Sequence, residues 1–113
     1  MHNKDQAICM NMLEAVNKIQ EMCNRFSNLD EFTKDYIYFD ATMMNFGVIG
    51  EMANKLSESF KEEYHEMEWR KISSFRNIVA HDYFGIDEKE VWQIITRKLP
   101  TLKEFLFKVL EKG

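Results

Sequence analysis

Proline is almost missing from this chain: Pro100 is the only one in 113 residues, and glycine is scarce as well, with four. A sheet-rich domain needs many tight turns, and those turns draw on Gly and Pro. Their scarcity, with Met, Leu, Ile and Phe spread throughout, predicts an all-helical fold. No uninterrupted apolar run approaches the roughly 18 residues of a membrane span, and the N-terminus lacks the basic-then-apolar order of a signal peptide. The expectation is a cytoplasmic protein with no membrane span. Cysteine is limited to Cys9 and Cys23, which on one helix stand about 21 Å apart at roughly 1.5 Å per residue, beyond disulfide reach. They are expected as buried thiols. Two Cys and three scattered His give no zinc-type spacing, so no metal and no cofactor is assigned. An excess of cations is absent too. The net charge of -4 excludes a surface that binds nucleic acid everywhere, and an RNA ligand would need cations concentrated locally.

What is present is helical periodicity. With 45% hydrophobic residues, residues 1–113 suffice for one domain with a real core. Ile8, Met12, Ala15, Val16, Ile19, Met22, Cys23 and Phe26 recur at three- and four-residue steps, which predicts a long amphipathic helix with Asp5 as its N-cap. Ser27, Asn28 and Asp30 form a polar break, with Asp30 placed to cap the next helix. A second stripe runs Phe39, Met43, Phe46, Ile49, Gly50, Ala53, Leu56 and Phe60. Glycine inside a helix costs roughly 1 kcal/mol relative to Ala, so Gly47 and Gly50 predict close approach of another helix or chain. The charged stretch 58–68 is expected as a solvated helix end and loop without chemistry.

A third helix is predicted from about Trp69, burying Ile72, Phe75 and Val79. Tyr83-Phe84-Gly85 breaks it, and Asp87 caps a last helix carrying Val91, Ile94, Ile95, Leu99, Leu102, Phe105, Leu106 and Val109. That stripe keeps phase across Pro100, which predicts one helix kinked at the proline. The whole is a bundle of four main helices.

Arg76 is out of place in this pattern, since at about 100° per residue it lies only about 40° from Ile72, on the flank of the apolar stripe. A guanidinium partly withdrawn from water needs a partner. One candidate is the carboxylate of Glu51, which interrupts the second stripe beside Gly50; the other is a phosphate held by the fork of donors. The two are compatible if Glu51 orients the guanidinium while other donors face a substrate. His81, five residues on, points about 140° away on an ideal helix. Cooperation inside one chain therefore requires the helix to end near Ala80, or the second residue to come from another subunit. At a helix C-terminus the partial negative charge favours imidazolium, which suits a group that both donates and accepts a proton near neutrality. The bland alternatives are a capping histidine and an internally paired arginine.

Arg76-Asn77-Ile78-Val79-Ala80-His81 followed by Asp82-Tyr83 resembles the Arg-x4-His-x-Tyr motif of the HEPN superfamily, and more narrowly its HepT-like toxins. Ile49-Gly50-Glu51, Trp69-Arg70, Val91-Trp92 and Leu99-Pro100 stand in the same order as in that family, so the likeness covers nearly the whole chain. The resemblance implies a four- or five-helix up-and-down bundle, a homodimer with the Arg and His of both subunits in one cleft, and metal-independent endoribonuclease chemistry on RNA. It gives His81 the proton transfers, Arg76 the stabilisation of phosphorane charge, and Asn77 a supporting role. It further implies a minimal nucleotidyltransferase antitoxin as partner, which adds AMP to Tyr83 and so blocks the cleft by bulk and like charge. Arg70 and Lys71 are candidates for RNA or partner contact. The competing expectation is a non-catalytic helical module that binds the nucleotidyltransferase, with the Met-rich faces from Met10 to Met52 as an adaptable interface.

Overall fold

In the computed structural model residues 1–112 are described, apart from the side chains of Asp82 and Tyr83. Among the described residues every regular element is helical, and the bundle is all-α. Helix α1 (Asn3–Cys23) buries Ile8, Cys9, Met12, Ala15, Val16, Ile19 and Cys23, the stripe its periodicity predicts. Burial pushes the Cys9 thiol up to about 11, with the nearby Asp5 charge adding to the effect, and burial also raises Cys23. Both thiols are free, as expected of core residues.

Two capping assignments need correction. Helix α1 begins at Asn3, and Asp5 lies buried inside its first turn rather than at its cap. Its carboxylate instead accepts from Ser57 N at 2.9 Å and from Ser57 Oγ at 2.6 Å. A short α2 (Leu29–Lys34) is capped by Asn28, whose side chain accepts from Glu31 N; Asp30 sits in the first turn, two residues too late to cap. Helix α2 inserts Phe32, wholly buried, against Phe26, Phe39 and Trp92. Asp35 caps α3 (Tyr36–Lys55) by accepting from Tyr38 N.

The stretch expected as a charged end and loop contains a separate short helix, α4 (Glu58–Glu63), with Ser57 as its cap. Phe60 anchors it, 3% exposed and against Trp69 with ring centroids 5.9 Å apart. One buried aromatic thus folds a segment whose charge hid its periodicity. Trp69 opens α5 (Trp69–Asp82) and is itself core, its indole N–H donating to Tyr64 O at 3.0 Å.

After a 3-10 turn at Tyr83–Gly85, Asp87 caps α6 (Glu88–Gln93) by accepting from Lys89 N and Glu90 N. A π turn, Ile94–Lys98, joins α6 to α7 (Leu99–Lys112). The rod over 88–112 is therefore one element, and its distortion falls just ahead of Pro100. Proline has no N–H for the carbonyl four residues back and its ring presses on that carbonyl; a wide turn, with Leu99 N donating to Ile94 O, relieves both.

Four long helical elements make the bundle: α1, α3, α5 and the α6–α7 rod. Helix α3 is central, packed along α1 on one side and α5 on the other, while α7 closes against α1. Gly50 explains the closeness of α3 and α5. A Cβ built there would meet Arg76 N nearer than real atoms come, and would crowd Phe75 at 3.1 Å. Beside it Phe46 and Phe75 stack, centroids 4.0 Å apart and planes 15° apart. The expectation of close helix approach holds at Gly50, whereas at Gly47 a Cβ would meet Val79 at an ordinary 3.7 Å.

Candidate active site on helix α5

From Trp69 to His81 the sequence of α5 holds no carboxylate, in a chain with 19 Asp and Glu. It holds Arg70, Lys71, Arg76 and His81 instead. A net-acidic protein has thus kept one helix locally basic, which meets the need of an anionic ligand for concentrated cations.

Arg76 is positioned by the backbone before its side chain is considered. Gly50 lets α5 come down onto α3 at Arg76 N, and the next residue of α3, Glu51, then meets the guanidinium. Arg76 Nε stands 2.7 Å from Glu51 Oε2. That oxygen is enclosed, and the contact is an ion pair rather than a well-aligned hydrogen bond. Lys55, one turn along α3, approaches the other oxygen at 3.9 Å. Glu51 is two-thirds covered, while the Arg76 side chain stays 56% exposed. The carboxylate therefore braces the arginine without consuming it, and the open part of the fork can take a second anion.

His81 lies in the last turn of α5, exposed. The helix runs on to Asp82, so the early end near Ala80 that would let Arg76 and His81 cooperate within one chain does not occur. On a continuous helix the two side chains leave the axis about 140° apart, Arg76 on the edge facing α3 and His81 on the other. Asn77, also exposed, precedes His81 by four residues and is its neighbour on that second edge. The structure thus brings Arg76 into contact with Glu51 and sets Asn77 and His81 on one edge of α5 by their spacing, but it does not bring the two pairs together. The side chain of Tyr83, expected to carry the modification, falls outside the described residues.

At the start of α5, Lys71 pairs with Glu68 at 3.2 Å, and Lys98 of the π turn reaches the same carboxylate at 3.8 Å. Hydrogen bonding and charge from Lys71, then charge from Lys98, hold the Glu68 carboxyl below its ordinary value. Arg70 is exposed and makes no ion pair among the described residues. Between α5 and the α6–α7 rod lies a cavity of about 590 Å³ with an apolar floor of Ile72, Phe75, Ile78, Ile94, Leu99 and Leu102. Lys71, Arg97 and Lys98 stand on its rim. Sequence reasoning passed over Arg97 and Lys98 because only the π turn decides which way they face. The one available signal was the basic pair just before Leu99-Pro100. Among the described residues no group of three His, Cys, Asp or Glu is placed to hold a metal ion, and no helix is long and apolar enough to cross a membrane.

Comparison with known families bears on what such a helix does. The family model described as "Ribonuclease HepT-like" matches residues 12–109, from within α1 to within α7 and across all of α5. The chain belongs to the ribonuclease HepT-like family. Similar family proteins include one from Methanocaldococcus jannaschii named "Gamma-glutamylcyclotransferase and putative RNase", 31% identical over 110 residues, 96% of this chain and 49% of that protein. The present chain therefore spans about half the length of that relative. A second protein of the same organism, named "Putative RNase", is 33% identical over 88% of this chain and 83% of its own length. A third, from Thermococcus cleftensis and named "Probable ribonuclease HepT", is 24% identical over 75% of this chain and 86% of its own. No solved structure matches. Membership in the HepT-like family supports a ribonuclease, and α5, with both Arg76 and His81, lies wholly inside the matched region.

Proposed function

We propose that this protein is a metal-independent endoribonuclease and the toxin of a toxin–antitoxin pair, working in the cytoplasm as a homodimer. The observation that carries the proposal is an exposed arginine braced by a half-enclosed carboxylate, on the same helix as an exposed histidine and in a run, 69–81, that holds no carboxylate of its own. In the proposed step the ribose 2′-hydroxyl attacks the adjacent phosphorus, and His81 takes the hydroxyl proton. The P–O5′ bond breaks, a proton passes to the leaving oxygen, and the products are a 2′,3′-cyclic phosphate and a 5′-hydroxyl. Arg76 meets the extra negative charge on the equatorial oxygens, where a preorganised cation acts most strongly. Glu51 holds the guanidinium in place, and Asn77 orients groups beside His81.

Because Arg76 and His81 leave α5 on opposite edges, one cleft containing both pairs is best made by two copies facing each other. Next to Arg76, α3 presents Ile37, Met44 and Val48, exposed at 63%, 71% and 37%, and ending at Glu51. Such a stripe suits a second subunit. On the same proposal a nucleotidyltransferase antitoxin transfers AMP to Tyr83, breaking the α–β phosphoanhydride of ATP and releasing pyrophosphate, and the adduct excludes RNA.

The test is purified protein with single-stranded RNA in the presence of a chelator. The expected result is cleavage leaving cyclic phosphate ends, reduced about 10²- to 10⁴-fold in His81→Ala with sedimentation unchanged. Cleavage equal to wild type in His81→Ala removes that residue from the mechanism. Inert RNA combined with tight binding of a nucleotidyltransferase selects the alternative, a non-catalytic binding module.

A further inference from the structure

The face of α5 that carries Asn77 and His81 extends beyond them, to residues the proposed chemistry does not use: Arg70, Ser74 and Phe84. Arg70, Ser74, Asn77, His81 and Phe84 are spaced four, three, four and three apart, the interval that keeps residues on one face of a helix. The 3-10 turn carrying Phe84 continues directly from α5, so the face runs about 20 Å at roughly 1.5 Å per residue. Its members are a cation, a hydroxyl, an amide, an imidazole and an aromatic ring. None is buried, and Phe84 is 103% exposed. So exposed an apolar ring next to a proton-transfer group is the feature that needs an explanation.

We infer that this stripe is the track for a single RNA strand, with Phe84 as a stacking platform for the base beside the scissile phosphate and Arg70 as a phosphate contact upstream along the helix; the inference rests on the ribonuclease proposal. Two observations favour a polyanion with exposed bases over a protein partner. The stripe carries no carboxylate although the chain has a net charge of -4, so it complements phosphates and repels none. Its polar groups lead to an aromatic ring one turn past His81, and stacking accepts any base. The neighbouring groove has Glu66 and Glu90 in its walls, which keeps the phosphates on the helix and out of the apolar floor. Glu68, also there, is already neutralised by Lys71 and Lys98.

The experiment measures binding and cutting separately. Binding is read by fluorescence anisotropy with a short RNA methylated at every 2′-oxygen, which cannot be cleaved, and cutting with the unmodified RNA. Phe84→Ala is expected to weaken binding about 5- to 100-fold, with Phe84→Trp close to wild type. Arg70→Gln is expected to lower the salt dependence of binding by about one unit of slope. If both variants bind as wild type does while wild type cuts the unmodified RNA, the track is overturned and the nuclease stands. If wild type binds through Phe84 yet cuts nothing, the track stands and the nuclease does not. Sedimentation of Phe84→Ala supplies the remaining control: loss of the dimer together with RNA binding would make Phe84 a subunit contact and overturn the stacking role.

Discussion

Helix α5 has two unlike sides. Toward α3 it is clamped, with Gly50 admitting its backbone, Phe46 stacked on Phe75 and Glu51 holding Arg76. Toward the α6–α7 rod it stands off across a cavity of about 590 Å³, bridged at its mouth by Glu68 between Lys71 and Lys98. Arg76 belongs to the clamped side and His81 to the other edge. A charge stabiliser must not move when charge develops, since preorganisation is what makes it effective, whereas a proton carrier needs access to solvent and to two oxygens in turn. The packing gives each residue the surroundings its proposed task calls for.

The largest expected effect comes from removing the braced cation. Arg76→Ala is expected to lower RNA cleavage by about 10²-fold or more and to leave Glu51 Oε2 enclosed and unpaired, costing roughly 1–3 kcal/mol in chemical denaturation. Adding Glu51→Gln should recover stability but not cleavage; recovery of both would make the pair purely structural. Next in size is Gly50→Ala. Overpacking against the α5 backbone is expected to cost about 1–3 kcal/mol, more than the roughly 1 kcal/mol gained in helix propensity, and urea midpoints would show it. Gly47→Ala should have the opposite sign, gaining up to about 1 kcal/mol, because its new methyl meets only ordinary contact with Val79. If both glycines respond alike, close approach is not what selects Gly50.

The smallest effect is expected on the open side. Lys98→Ala breaks an exposed, solvent-screened bridge and should leave the urea midpoint close to that of wild type. The pH dependence of the bridge has a definite sign. Lys71 and Lys98 lower the Glu68 carboxyl in the folded protein, so the pairing is intact above the ordinary glutamate range and disappears as pH falls through the lowered folded value. An NMR titration of Glu68 should therefore move back toward the ordinary range in Lys98→Ala. An unchanged midpoint would assign the effect to Lys71 alone.

Much of the clamped side was legible in the sequence. The stripes of α1, α3 and α5, the Gly50 approach and the Glu51–Arg76 pairing all derive from helical spacing, because each depends on one buried face per helix. The open side was not, since the cavity depends on how far two helices stand apart, and the facing of Arg97 and Lys98 depends on a π turn that Pro100 only hints at. Caps were read unevenly: Asp87 was placed correctly, while Asp5 and Asp30 lost to His2 and Asn28 because several polar residues crowd each helix start. Helix α4 was missed because Phe60, its one anchor, also continues the stripe of α3. Where α5 ends was settled by structure alone, and with it the divergence of Arg76 and His81.

The carboxylate of Asp5 has reach beyond its own helix. It grips Ser57, Ser57 Oγ in turn accepts from Phe60 N at 3.2 Å, and the Phe60 ring rests on Trp69, where α5 starts. Trimming or mutating the first few residues would thus loosen the foot of the helix that bears the proposed nuclease residues, a long-distance injury that a map of Arg76 and His81 alone would not foresee.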